Sequence, residues 1–282
     1  MADITITTAA NLIPEVWGPM VIRAYTVAQK FRPLVQSLDF TGKFGDTIHI
    51  PTITSLTADT KTANTDLTPV SNTEGKVDVL IDQYKAKLVT LEDIAAVQAS
   101  FPLLSIYATE IGGCLGRAID ASLAGQVANC NTEVDASLTT VANLHKKIIT
   151  VKQTFDAANA PEEGRILAVT PYFLSQLLMN AYFISRDYIG DTQATANGVV
   201  GSIYGFTVVV SNALPSAAGY DSNWAFVKPA IGLAVQKDIS LEYGRHVRGL
   251  SSDVVGSVIY GTKILVQDGM LRLKSATAEY TG

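Results

Sequence analysis

The sequence predicts an α+β fold, and three observations carry that prediction. Between Pro102 and Ala128, apolar and small residues recur at helical spacing: Leu104, Ala108, Ile111, Leu115, Ala118 or Ile119, and Ser122. Before it, Thr47–Ile50 and Val77–Val89 alternate as strands do, around a long polar insert. After it, a short helix–strand–helix unit leads into further strand patterns that close the chain.

The elements follow in order. Residues 1–40 read as an arm: a small, polar stretch from Thr5 to Ala10, then Pro14, Trp17 and Pro19, then a short helical pattern at Val21, Ile22, Tyr25 and Ala28 closed by Pro33. Trp17 is either a core aromatic or the anchor of an extended arm on a neighbour, because Trp is a frequent interface anchor. Residues 41–92 read as a long hairpin. Gly42 and Gly45-Asp46 form the turn before the first strand, and Gly75 opens a return strand with Val77, Val79 and Ile81 on one face, running on through Val89. Its tip is rich in Thr, Asn and Asp and buries little apolar surface of its own. Loops of such length are uncommon without a function, so the tip is either disordered or lies on another subunit.

In the long helix, which would span about 40 Å at 1.5 Å per residue, Ser100 is the expected cap and Pro102 suits the first turn. Gly112-Gly113 costs about 1–2 kcal/mol there, for which close packing or a bend is the expected return. A second helix is expected over residues 140–160, around Leu144, Ile148, Val151 and Phe155, and is ended by Pro161 and Gly164. Arg165–Thr170 is a buried strand, and Pro171 starts a third helix through Leu174, Leu177, Leu178 and Tyr182. A polar loop over 186–202, a strand over Tyr204–Ser211, a turn-rich loop over Pro215–Asn223 and a short strand over Trp224–Val227 come next. Ile231–Asp238 is apolar and open as to type. Ile239–Tyr243 and Val254–Val266 read as strands around a loop Gly244–Asp253, and Leu271–Leu273 as the last strand.

Composition narrows the function. The chain has 282 residues and a net charge of −5. Charged residues make up 17%, against a usual share of about 25%, while 48% are hydrophobic and the mean hydropathy is +0.23. This is neither a disordered nor a collagen-like composition. An acidic chain lacks the basic stripe by which proteins neutralise nucleic-acid phosphates. The two cysteines cannot build a disulfide framework. Cys114 and Cys130 fall in one helical stretch, about 24 Å apart at 1.5 Å per residue, and are read as buried free thiols. No secretory signal or lipidation motif is visible. The longest charge-free run, Thr192–Tyr220, contains Pro, Asn and Gly and makes no spanning helix. No membrane partner is expected, and synthesis in the cytoplasm is.

No catalytic pattern emerges. His49, His145 and His246 lie at no metal-ligand spacing. The glycine clusters at 112–116 and 198–205 lack the strand-then-helix context and the basic residue of a phosphate cradle, and there is no nucleophile elbow. Asp78 and Asp82 share a strand face, where two carboxylates are either an acid/base pair or, with Glu92 and Asp93, a solvated or salt-bridged rim, the reading preferred. Lys85, Lys87, Arg245 and Arg248 are its nearby partners. Arg245, His246 and Arg248 form a small basic loop, either solvated or paired with an acidic patch of a neighbour. No cofactor or metal is expected.

The order of these pieces resembles the Hong Kong 97-type major capsid proteins of tailed phages, in particular their P22 coat-like branch. The residues that carry the likeness are ANLIPEVWGPMVIRAY, similar to that branch's N-terminal arm; GKFGDTIHIP, similar to the lead-in to its E-loop; DQYKAKLVTLEDIAAVQAS and the helix to AIDASLAG, similar to its return strand and spine helix; YGFTVVVSNALP, similar to an A-domain strand; and GRHVRGLSSDVVGSVIYGTKILVQDGMLRLK, similar to the P-domain hairpin and final strand.

The resemblance implies an arm over 1–40, an E-loop over 41–92, a P-domain over 93–135 with the spine helix, an A-domain over 136–238, and closing P-domain strands with a P-loop over 239–282. It implies no enzyme but a self-assembling subunit, in hexamers and pentamers of an icosahedral head that holds double-stranded DNA without reading its sequence. Intersubunit contacts are expected at Trp17 of the arm, at Asp59, Lys61, Asp66, Glu74 and Lys76 of the E-loop, and at Arg245, His246 and Arg248 of the P-loop. A portal and a decoration protein are implied partners. Because the chain opens directly with the arm, a separate scaffolding protein is expected rather than a cleaved scaffolding segment. Crosslinking through Lys61 is not expected. Rival readings are an encapsulin-like nanocompartment shell, a small α/β enzyme and a monomeric adhesin or minor structural protein. A shell subunit buries surface on every side, which accounts for the low charge. Ten of the 33 residues from Thr41 to Thr73 are Thr, suited by β-propensity and hydrogen bonding to lie across a neighbour. The arm and hairpin are therefore expected to look overexposed in a single chain.

Overall fold

The computed structural model describes residues 30–53, 56–64, 66, 74–99, 102–137, 143–180, 201–217 and 219–276. In chain order the strands and helices are β1 (Gln36–Asp39), β2 (Thr47–Ile53), β3 (Glu74–Leu80), β4 (Gln83–Glu92), α1 (Asp93–Gln98), α2 (Leu103–Gly125), β5 (Glu133–Asp135), α3 (Leu144–Ala157), β6 (Arg165–Val169), α4 (Pro171–Leu178), β7 (Ser202–Ile203), β8 (Phe206–Val210), β9 (Ser216–Ala217), β10 (Tyr220–Val227), β11 (Ile231–His246), β12 (Ser251–Ile264) and β13 (Met270–Ala276). Among the described residues they form three sheets. One is four-stranded in the order β1-β11-β12-β4. One is seven-stranded, running β5-β13-β10-β6-β8-β7 with β9 on β10. The third is the two-stranded β2-β3.

The spine of the molecule is α2, with 23 residues, about 35 Å long at 1.5 Å per residue. Ile111, Leu115, Ile119 and Leu123 form its buried stripe, packed with Leu233, Val254, Val258 and Tyr260 of β11 and β12. The Tyr260 hydroxyl accepts from Ser122 Oγ at 2.7 Å and donates to the Ala118 carbonyl at 3.1 Å, so the tip of a large aromatic is satisfied inside the helix–sheet interface. The close approach comes from the sheet and not from Gly112-Gly113. A Cβ on Gly256 would lie 2.3 Å from Ile111 Cγ2, whereas one on Gly112 would meet nothing within 4 Å. The helix starts after Pro102 without a side-chain cap; Ser100 lies outside the described residues. It also ends earlier than expected. A 3-10 turn, Gln126–Asn129, follows it, so Cys130 stands beyond the helix that holds Cys114.

The seven-stranded sheet separates two cores, and the period of a strand explains how. On β10, Trp224 and Phe226 face the core under α2, while Ala225 and Val227 face the core under α3 and α4. Successive side chains of a strand point to opposite faces. Ile166 and Ala168 against Leu167 and Val169 of β6 repeat the division. Both faces are covered, which is why RILAV reads as a continuous apolar run. Trp224 and Phe226 rings lie 4.4 Å apart, and Phe31 joins them 6.1 Å from Trp224.

Several expectations change. Residues 31–39, placed in the arm, belong to the body: Phe31 and Val35 are buried, and β1 pairs in parallel with β11. The return strand expected from Gly75 to Val89 is two strands. β3 pairs with β2, and β4 crosses to pair with β12, so Asp82 sits at the break and shares no strand face with Asp78. Gly261 leaves room for that break, because a Cβ there would lie 2.1 Å from the Leu80 carbonyl oxygen. The stretch Ile231–Asp238 is the first half of β11; flanked by β1 and β12, it is apolar because it is a central strand. Pairing between β11 and β12 continues to His246↔Ser251, so the expected loop Gly244–Asp253 shrinks to a tip, Val247–Leu250, where Leu250 takes φ +45°. Tyr204 and Gly205, expected within a strand, form the two-residue turn between β7 and β8; both have positive φ, as a type I′ hairpin turn requires. Tyr220–Asn223, expected in a loop, opens β10. Among the described residues no helix is long and apolar enough to cross a membrane.

Candidate functional site

The two-stranded sheet projects from the body. At its root, Val79 and Ile81 are buried with Ala234 and pack against Leu38, Phe40, Ile48, Ile50, Ile259 and Leu265. The root is tied by Ile81 N–H donating to the Asp46 carbonyl at 2.8 Å. The Gln236 amide also donates to the Lys43 and Gly45 carbonyls at 3.1 and 3.0 Å. Gln236 lies where the β11–β12 register shifts, and such a bulge re-aims a side chain. Further out no core remains: Ile53 is 76% exposed and Leu56 79%, while at the root itself Phe44, between the two carbonyls that Gln236 holds, is 100% exposed. Apolar side chains this bare on a two-stranded ribbon, a unit marginal by itself, mark a surface that another chain covers. The expected overexposure of the hairpin is present; the arm's first 29 residues, including Trp17, lie outside the described residues.

The charged residues expected on the hairpin fall into two groups. Asp59, Lys61 and Asp66 lie exposed along its outer segment, and Glu74 is exposed where β3 begins. Lys76 is part of a cross-strand cluster: its Nζ donates to Asp78 Oδ2 at 3.2 Å, and Asp78 Oδ1 shares a hydrogen with His49 Nδ1 at 2.5 Å. The His49 hydrogen bond first, and then Lys76, hold the Asp78 carboxyl below the usual carboxylate range. The salt-bridged reading of this rim holds for Asp78.

A second cluster forms at the far end of the β11–β12 hairpin. Arg245 and His246 stand on the end of β11, and Arg248 in the 3-10 turn that follows, so the three do not form the single loop expected. Both terminal guanidinium nitrogens of Arg245 donate to Asp93, Nη1 to Oδ1 and Nη2 to Oδ2, the latter at 2.6 Å. This fork lowers the Asp93 carboxyl pKa and raises that of Arg245. Asp93 opens α1, and its N–H donates to the Leu250 carbonyl at 3.0 Å. Ile94, Val97, Val247 and Leu250 flank the pair and are all more than half exposed. The sequence points only to a general partnership between the acidic stretch and the basic loop, and α1 leaves no signal in it, since six residues are too few to show a period.

Among the described residues no group of three or more His, Cys, Asp or Glu side chains that could hold a metal ion occurs. A groove of about 520 Å³ between the start of α2 and β11 is lined by Pro102, Leu104, Ser105, Ala108, Thr109, Leu241 and Tyr243. It offers no carboxylate, imidazole, thiol or basic group. Burial pushes the Cys130 thiol up to about 11, the opposite of what a nucleophile needs.

Comparison with known proteins agrees with this geometry. The family model described as phage capsid protein matches residues 28–261. No curated protein matches the chain. Among solved structures, a chain of Mycobacterium phage Che8 is 24% identical, with 93% of this chain and 97% of that chain covered and a TM-score of 0.83. The capsid structure of cyanophage P-SCSP1u gives 22% identity, 99% and 97% coverage and a TM-score of 0.83. The capsid of a native GTA particle gives 10% identity, 98% and 100% coverage and a TM-score of 0.75. The sheets, spine helix and projecting hairpin are thus those of the Hong Kong 97-type capsid fold, and with that family's model spanning residues 28–261 the chain belongs to the phage capsid proteins.

Proposed function

We propose that this chain is the major capsid protein of a tailed phage of the P22 coat-like branch, whose copies assemble as hexamers and pentamers into the icosahedral head around double-stranded DNA. The observation that carries the reading is the β2–β3 hairpin, which buries its root on its own body and leaves Ile53 and Leu56 bare. Covering one such side chain on a neighbour contributes about 1.5–3 kcal/mol, repeated at every contact of a shell. In this reading the hairpin is the E-loop, β4 and β11–β12 with α2 form the P-domain, and the seven-stranded sheet with α3 and α4 is the A-domain. Asp59, Lys61, Asp66, Glu74 and Lys76 meet one neighbour, and His246 and Arg248 another, with Arg245 held in place by Asp93. Trp17 anchors the arm. A net charge of −5 suits a wall that encloses DNA without adhering to it. The role is structural rather than catalytic, and the protein's place is the virion. A scaffolding protein, a portal and a decoration protein are the partners this reading expects.

Deleting Thr57–Thr73 tests it. Ile53 and Glu74 are register partners, so the deletion leaves Thr54, Ser55 and Leu56 as a three-residue hairpin loop, a common length. The variant should fold and unfold as the wild type does, yet electron microscopy should find no stable shells. Normal shells would remove the argument, and small wild-type shells filled with a protein cargo would favour an encapsulin-like compartment instead.

A further inference from the structure

Phe44 stands wholly in solvent, in the turn between β1 and β2. A single exposed apolar residue is ordinary, but this one is held in place. The Lys43 N–H donates to the Phe40 carbonyl at 3.1 Å, across a turn in which Gly42 takes φ +71°, as the third residue of a type II turn does. From β11, the Gln236 amide donates to the Lys43 carbonyl at 3.1 Å and to the Gly45 carbonyl at 3.0 Å. One side chain thus grips the residue before the aromatic and the residue after it. The register of β11 with β12 shifts at this point, with Val235 and Lys237 paired and Gln236 between them, and such a bulge is what turns the amide toward the loop. A solvent-facing loop usually keeps freedom that a partner must freeze on binding. Here folding has already frozen it.

The charged residues around the ring are engaged within the chain. Lys43 Nζ lies 5.9 Å from the centre of the Phe40 ring. Asp39 Oδ1 accepts the Thr41 N–H at 3.0 Å, and Asp46 Oδ1 accepts the Thr47 hydroxyl at 3.1 Å. What the turn offers a partner is therefore an aromatic ring, which suits an apolar recess in a protein. Nucleic acid would need cations instead. The partner that fits is a second copy of this chain. The chain belongs to the phage capsid proteins, and Phe44 comes three residues before β2, the strand that ends at bare Ile53. It continues the hairpin surface that a neighbouring copy covers in the reading above.

We propose that Phe44 is an anchor of assembly, held out by Gln236 so that its ring is buried against a second copy of this chain. The proposal rests on the shell-forming reading above and adds to it a contact at the root of the hairpin. Gln236 is a positioning residue that acts through Phe44. The full chain tests both roles. With the photoreactive p-benzoylphenylalanine in place of Phe44, irradiation of assembled protein should give covalent subunit dimers on a denaturing gel. Phe44→Ala should keep the wild-type unfolding midpoint, because a wholly exposed side chain loses no packing. Its half-maximal assembly, followed by light scattering, should need about tenfold more protein, the scale of an aromatic hot spot. Gln236→Ala should raise that concentration several-fold, and the double variant should need no more protein than Phe44→Ala, since the two act through one contact. No dimer, a crosslink confined to one chain or made to a different protein, or a Phe44→Ala chain that assembles at wild-type concentrations would each overturn the proposal. Additive losses in the double variant would overturn the role of Gln236. A wild-type chain that forms no shells would instead sink the shell-forming reading. The photocrosslink in concentrated protein then decides Phe44 alone, dimers upholding the contact and their absence ending it.

Discussion

Gly261→Ala is the substitution for which the structure gives the sharpest expectation. A Cβ at this position of β12 would stand 2.1 Å from the Leu80 carbonyl oxygen, 2.9 Å from Leu80 C and 3.0 Å from Ile81 Cα. All three atoms are backbone, so no rotamer relieves the clash. Carbon and oxygen must separate by about 1.4 Å to regain ordinary contact, since optimal non-bonded separations lie near 3.5 Å and above. That displacement pulls β3 off the small core of Val79, Ile81 and Ala234 and strains the Ile81–Asp46 hydrogen bond. Overpacking of this kind costs about 1–3 kcal/mol. For a domain of this size each kcal/mol lowers the melting temperature by about 2–4 °C. Gly256→Ala is the comparison. Its closest atoms are Ile111 Cγ2 at 2.3 Å and Leu115 Cδ1 at 2.9 Å; Leu115 can turn aside, but Ile111 Cγ2 sits on a stiff β-branched Cβ and yields only if α2 moves, so a loss is expected there too, at the helix–sheet interface instead of the hairpin root. Scanning calorimetry of the free subunits measures both, and electron microscopy then asks whether the tilted hairpin still builds shells. A Gly261→Ala protein as stable as the wild type would refute the reasoning.

Two further outcomes are expected. Arg165 is 3% exposed and donates to the Ala160 and Pro161 carbonyls at 2.7 and 2.8 Å and to Asp156 at 2.6 Å. Arg165→Met should therefore destabilise by about 1–3 kcal/mol for each acceptor left dry, and Arg165→Lys should not restore it, because one ammonium cannot span a fork of three acceptors; chemical denaturation reads both. Asp78 and Asp93 have carboxyls held below their ordinary values, Asp78 by His49 and Asp93 by Arg245. A lowered folded-state value means that the contribution is present above the unfolded carboxyl's pKa, about 3.9, and is lost as pH falls through the folded value. The stability difference between wild type and Asp93→Asn should thus persist at pH 6 and vanish in acid, and a difference unchanged at the lowest pH would contradict the pairing.

What the sequence reveals follows from the range of each interaction. The spine helix is legible because its stripe repeats over many turns, and Arg165–Val169 because burial on both faces leaves a continuous apolar run. The break between β3 and β4 is not, since Val77–Leu80 and Gln83–Val89 carry the same alternation and the glycine that leaves room for it is on a distant strand. β1 and β5 are three or four residues long and pair with β11 and β13 from far along the chain, so no local period reveals them. At the assembly surface, bare Ile53 and Leu56 and a Thr-rich strand foretell exposure, but not which charges are already paired within the chain, as Lys76 and Arg245 are. Asp120, buried on α2, did leave a signal. It falls in the stripe of Gly116, Leu123 and Ala124, where a charge without a partner has no place; only the fold supplies that partner, as the backbone N–H groups of Lys30, Phe31 and Arg32, a segment with no polar pattern.

The strand β10 carries a last consequence. Its odd and even side chains belong to different cores, so no seam divides the subunit at which the two halves can slide. Load passed between the two halves of the subunit crosses the register of β10 with β13 and β6, a ladder that a core braces on each face. Sliding one core past the other would have to break that ladder, so the two halves of the subunit are held as one piece.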